Sequence, residues 1–121
     1  MAIQRAPDSS PPAAVSLLQG EALRLIFKHS PTCGISTRAF SEVSAFADAH
    51  PDLPVVLVDV LAQHGLSQQI AVELRVPHAS PQVILVAGGR PLWNASHGGV
   101  TSQAIAHALG ALPPLSTEVR S

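Results

Sequence analysis

At 121 residues, with 46% apolar and 12% charged side chains, the chain has the size of one globular domain and is too apolar for disorder. A formal net charge of -1 offers no basic field for nucleic acid and no polybasic patch for a membrane surface. One cysteine excludes a disulfide scaffold, and no apolar run approaches the ~18 residues of a membrane span. Met1–Ala14 is rich in Pro, Ser and Ala and lacks the continuous hydrophobic region of a secretory signal, so a reducing cytoplasm is the expected compartment.

Residues 1–12 and 113–121 read as flexible tails around one domain at 13–112, with Pro113-Pro114 barring further helix. A short leading helix is optional around Ala13–Gln19, where Gly20 ends it. Leu23–Phe27 is a mostly apolar run of strand length. Ile35, Ala39, Phe40, Val43, Phe46 and Ala47 recur at helical spacing and predict a helix over Gly34–Ala49. Val55–Val58 is a β-branched run without polar alternation, as in a strand covered on both faces. Leu66, Ile70, Ala71 and Leu74 mark a second helix. Val83–Val86 and Leu92-Trp93 flank Gly88-Gly89, a hairpin signal. The last helix has Thr101 as N-cap, a Val100/Ile105 staple, and Gly110 then Pro113 as its end. The order β-α-β-α-β-β-α implies an α/β fold: a mixed four-stranded sheet with helices on both faces.

Cys33 stands where the first strand hands over to the first helix, in Lys28-His29-Ser30-Pro31-Thr32-Cys33-Gly34-Ile35-Ser36. This is a Cys-x-x-Cys pattern with Ser36 in place of the second cysteine, so any second sulfur must come from outside the chain. A lone cysteine is commonly a small buried hydrophobe. A helix N-terminus, however, stabilises the nucleophilic thiolate, and that placement argues for a reactive thiol. The Ser36 hydroxyl is a candidate donor to the sulfur, and Lys28 and His29 are candidate sources of positive potential.

Ahead of the third strand lies Val76-Pro77-His78-Ala79-Ser80-Pro81-Gln82. A cis Ser80-Pro81 bond would expose the Ser80 backbone to an extended substrate, although proline statistics alone favour trans. Gly98 and Gly99, after Ser96-His97, offer backbone N–H groups to an anion or form an ordinary turn before a capped helix. Trp93, the only tryptophan, is more often core than ligand contact. His50, His64 and His107 have no metal-ligand spacing.

With these motifs the chain resembles the thioredoxin superfamily, and within it the monothiol bacilliredoxins, the YtxJ-like proteins of the bacillithiol system, over about Leu17 to Leu112. The resemblance rests on Lys28-His29-Ser30, Thr32-Cys33-x-Ile35-Ser36, Val58-Asp59-Val60, Ile70-Ala71, Val76-x-His78-x-Ser80-Pro81-Gln82 and Trp93-x-x-Ser96-His97-x-x-Val100-Thr101. It implies a thioredoxin-like fold, Cys33 as nucleophile, a cis Pro81 beside it, and removal of bacillithiol from S-thiolated proteins. Lys28, Thr32, Gly34, Ser36, Ser80, Pro81, Trp93 and His97 would then surround the substrate. Expected alongside are a small thiol as co-substrate with no permanently bound cofactor or metal, S-thiolated clients as partners, and a monomer or weak dimer.

One departure is Gly34, where that family usually has proline. It makes Cys-Gly-Ile-Ser, close to the Cys-Gly-Phe-Ser of the monothiol glutaredoxins, which implies an alternative: a [2Fe–2S] carrier in which Lys28 holds one carboxylate of a thiol cofactor and Gly98, Gly99 and the helix start another. A non-catalytic adaptor with an inert Cys33 is the third reading.

Overall fold

The β-branched and aliphatic runs form strands, and the stretches of helical spacing between them form the crossovers that parallel pairing requires. The computed structural model describes residues 3–5, 22–30 and 34–111. The strands are β1 (Ile3–Arg5), β2 (Arg24–His29), β3 (Val55–Asp59), β4 (Gln82–Ala87) and β5 (Arg90–Ser96). The helices are α1 (Gly34–Ala49), α2 (His64–Leu74) and α3 (Ser102–Ala111), with a 3-10 turn at His97–Gly99 leading into α3. The sheet order is β1-β3-β2-β4-β5; β3 pairs parallel with β1 and β2, and β4 pairs antiparallel with β2 and β5.

The expected α/β architecture is present with one addition. Ile3–Arg5, read from sequence as part of a tail, pairs in parallel register with Val55–Leu57 and makes a fifth strand. Three residues bounded by Ala, Pro and Ser carry too little periodicity to signal a strand, and Ile3 earns its place by packing on the core. The optional helix at Ala13–Gln19 and the tail at 113–121 lie outside the described residues. α3 continues through Gly110 to Ala111 rather than stopping at the glycine.

Alternation along the central strands divides the interior into two layers. Leu25, Phe27, Val83 and Leu85 face α1 and α3, packing with Val43, Phe46 and Ile105. Ile26, Ile84 and Val86 face the other way, against Leu66, Ile70 and Leu74 of α2. Gly88 and Gly89 take φ of 61° and 73°, the two left-handed positions of a tight hairpin turn joining β4 to β5. No helix among the described residues is long and apolar enough to cross a membrane.

Candidate active site

β2 leaves the sheet at His29, and Ser30 then donates its backbone N–H to Ser36 Oγ at 3.2 Å. That bond ties the strand exit to the first turn of α1. Thr32 and Cys33 lie outside the described residues; Gly34, next in sequence, opens α1. Ser36 is wholly buried, so the position of a second sulfur holds a hydroxyl oxygen already bonded to the chain. Gly34 is exposed, and a Cβ there would meet nothing within 4 Å.

The Ser80–Pro81 peptide bond is cis, as the family resemblance implies. Pro81 is buried, and its carbonyl accepts the His97 N–H at 2.9 Å, which pins the end of β5 to the Pro81 loop. His97 takes a left-handed φ of 55° and leaves its side chain exposed. Ser80 is partly exposed, with its Oγ buried and unpartnered among the described residues.

Neither basic residue upstream of Cys33 behaves as its place in the sequence suggests. The His29 ring packs against Phe27 and Phe40, with centroids 5.4 and 5.2 Å away, and its Nδ1 is buried without a partner among the described residues. Burial lowers its pKa below the usual 6.5, against opposing pulls from Asp59 and the Ser36 backbone, so the imidazole is neutral near pH 7. Lys28, the chain's single lysine, is 0% exposed and belongs to the α2 side of the sheet, like Ile26 two residues earlier. Its Nζ lies 3.2 Å from His78 Nδ1, and Ser67 Oγ from α2 lies 3.2 Å from the same nitrogen. Burial lowers the Lys28 ammonium from 10.5 to about 8. The His78 side chain is exposed, yet its pKa also falls below 6.5, first through desolvation of the part that is covered and then through the charges of Lys28 and His64.

Gln82 completes this cluster. It sits directly across from Lys28 in the β2–β4 ladder, is 2% exposed, and donates from Nε2 to the Pro77 carbonyl at 3.1 Å. Its Oε1 is buried and has no partner among the described residues. His78, Ser67 and Gln82 escaped the sequence reading as site residues. The available signal was one lysine at the end of an apolar strand, on the face that strand alternation assigns to Ile26.

The start of α3 is less open to an external anion than its glycines suggest. Thr101 Oγ1 accepts the Ala104 N–H at 3.0 Å, the expected N-cap, and Glu42 of α1 reaches across to accept the Ser102 N–H at 2.8 Å. Arg38, Glu42, His97, Gly98 and Thr101 line a cavity of about 200 Å³ between α1 and this turn. Trp93 meets this lining at Thr101. It lies three residues back from Ser96 on β5, about 10 Å at strand rise, half-buried on the α1/α3 face in a groove with Thr101, Ala104 and His107. The structure therefore joins Ser30 to Ser36, Pro81 to His97, and Lys28 to His78, and leaves Trp93 outside those contacts.

A sequence profile described as monothiol bacilliredoxin BrxC matches residues 13–105. Among solved structures, a candidate oxidoreductase with a thioredoxin fold is 27% identical with a TM-score of 0.79, over 89% of this chain and 94% of that one. Thioredoxin f2 of Chlamydomonas reinhardtii is 17% identical with a TM-score of 0.68, over 94% of this chain and 99% of its own. Oxidised thioredoxin O2 of Arabidopsis thaliana is 18% identical with a TM-score of 0.69, over 92% and 94%. At these identities the two thioredoxins are similar in fold alone.

Proposed function

Because the chain belongs to the monothiol bacilliredoxin family and is a thiol oxidoreductase on a thioredoxin fold, we propose that it removes a small, bacillithiol-like thiol from S-thiolated proteins through Cys33. The observation that carries this reading is Ser36: the place of a resolving cysteine is filled by a buried hydroxyl bound to Ser30, in a chain with no other sulfur nucleophile. The Cys33 thiolate attacks the small thiol's sulfur in the mixed disulfide. A new S–S bond forms between Cys33 and the small thiol as the old one breaks, and the client leaves as a thiolate that takes a proton from water. A second small thiol, as reductant, then attacks the Cys33-bound sulfur, leaving as the symmetric disulfide and restoring the Cys33 thiolate. Ser80, partly exposed ahead of Pro81, supplies the backbone against which an extended client lies. A reducing cytoplasm suits this cycle, since the reductant is drawn from the thiol pool.

Intact mass after exposure to a protein–bacillithiol mixed disulfide tests the proposal. Wild type gains one small thiol on Cys33 and releases reduced client, while Cys33→Ser does neither. Equal behaviour of the two proteins overturns it.

A further inference from the structure

The cluster on the α2 face has no part in the exchange just described, and it is costly. A wholly buried lysine whose hydrogen-bonding partner among the described residues is an imidazole, beside a buried glutamine with an orphaned oxygen, destabilises a small domain. All of its bonds to the loop converge on one segment. Gln82 holds the Pro77 carbonyl, Lys28 and Ser67 hold the His78 ring, and three residues on is Pro81, whose carbonyl is held by His97. Two neighbouring loop residues are thus gripped from beneath by β2, α2 and β4.

We propose that His78 is a positioning residue: accepting at Nδ1 from Lys28, with the Ser67 hydroxyl beside the same nitrogen, it sets the Pro77–Pro81 loop for substrate, and its protonation breaks the Lys28 bond and loosens that loop. This rests on the thiol-exchange reading above. A neutral imidazole accepts at Nδ1 from the ammonium; a protonated one turns its Nδ1–H toward that ammonium, donor against donor, and keeps the Ser67 hydroxyl alone of these two as an acceptor. Facing His78 are Lys28 from β2 and Ser67 and His64 from α2, with Gln82 of β4 on the adjacent Pro77. Both basic neighbours oppose its protonation, so the hold persists at neutral pH and fails in acid, below the ordinary histidine range. On the other side, the same loop is held at Pro81 by the backbone bond from His97.

The test measures KM and kcat for de-thiolation of a single-cysteine protein carrying bacillithiol or glutathione, from pH 5 to 9. Iodoacetamide alkylation of Cys33 runs in parallel as a report on the thiol alone. His78→Ala raises KM by about tenfold at neutral pH, as expected for loss of a charge-assisted hydrogen bond, with kcat and alkylation unchanged. His78→Asn, whose Oδ1 still accepts from Lys28 and Ser67, restores the neutral KM and abolishes the rise in KM at acid pH. Wild-type KM and pH profile in His78→Ala overturn the inference. If wild type fails to de-thiolate at all, the redox reading falls separately. Amide protection at Ala79 and Ser80, taken relative to the intrinsic exchange rate at each pH, then decides the loop: it falls in acid in wild type and not in His78→Asn, and equal protection in both overturns it.

Discussion

On the α1/α3 face, β2 and β4 contribute Leu25, Phe27, Val83 and Leu85 to a core closed by Phe46 and Ile105. On the α2 face the same two strands contribute Ile26, Ile84 and Val86, and then, in direct register, Lys28 and Gln82. The first face spends its buried area on stability, since each large apolar side chain contributes about 1.5–3 kcal/mol. The second interrupts that gain at the end nearest the Pro81 loop. The difference locates the polar burden where a loop has to be held, and leaves the rest of the sheet to hold the fold.

The strongest way to break this comparison is to truncate each face. Phe46→Ala, on the apolar side and stacked on His50 at 4.3 Å, should cost about 3–5 kcal/mol in denaturant unfolding. Lys28→Met should cost nothing, or stabilise at pH 7 by on the order of 3 kcal/mol, because it removes a buried cation and leaves His78 with Ser67. An equal loss in both variants would mean that Lys28 is simply part of the core.

The pH dependence of stability sharpens the same contrast. The folded Lys28 amine releases its proton near 8 and the unfolded one near 10.5. Between these values the unfolded chain binds more protons, so stability rises with pH across the window, and below it the contribution of this group is flat. With no tyrosine and no other lysine in the chain, subtracting the Lys28→Met curve isolates the effect. Identical curves for the two proteins would refute the depressed pKa.

Smaller effects belong to the rim of the apolar side. Glu42→Ala removes the carboxylate from the Ser102 N–H and should lower stability by about 1 kcal/mol, as loss of a helix cap does; an unchanged midpoint would show that water replaces it freely. Gly34→Pro, at the opening of α1 where a Cβ meets no neighbour within 4 Å, should raise stability by about 0.4–1 kcal/mol through the unfolded chain. A loss of stability there would show that the glycine is needed for backbone freedom after all.

Local pattern sufficed for much of this molecule. The helix over Gly34–Ala49, the Gly88-Gly89 hairpin and the Thr101 cap with its Val100/Ile105 staple follow from side-chain periodicity, φ > 0 preference and short-range hydrogen bonding. The placing of Ser36 in the first turn of α1 is likewise a matter of adjacent residues. The pairing of Ile3–Arg5 with β3 spans some fifty residues and carries no local mark.

Tertiary structure alone decided the rest. Lys28 meets His78 across fifty residues, and Glu42 meets Ser102 across sixty. Upstream of a thiol, a lysine and a histidine read as positive charge; strand alternation sends the lysine to the opposite layer, and aromatic packing leaves the histidine neutral. Hydrophobic periodicity can be read along a chain because each residue carries its own part of it. Which polar group meets which inside the fold depends on sheet order and register, and those exist only once the strands have come together.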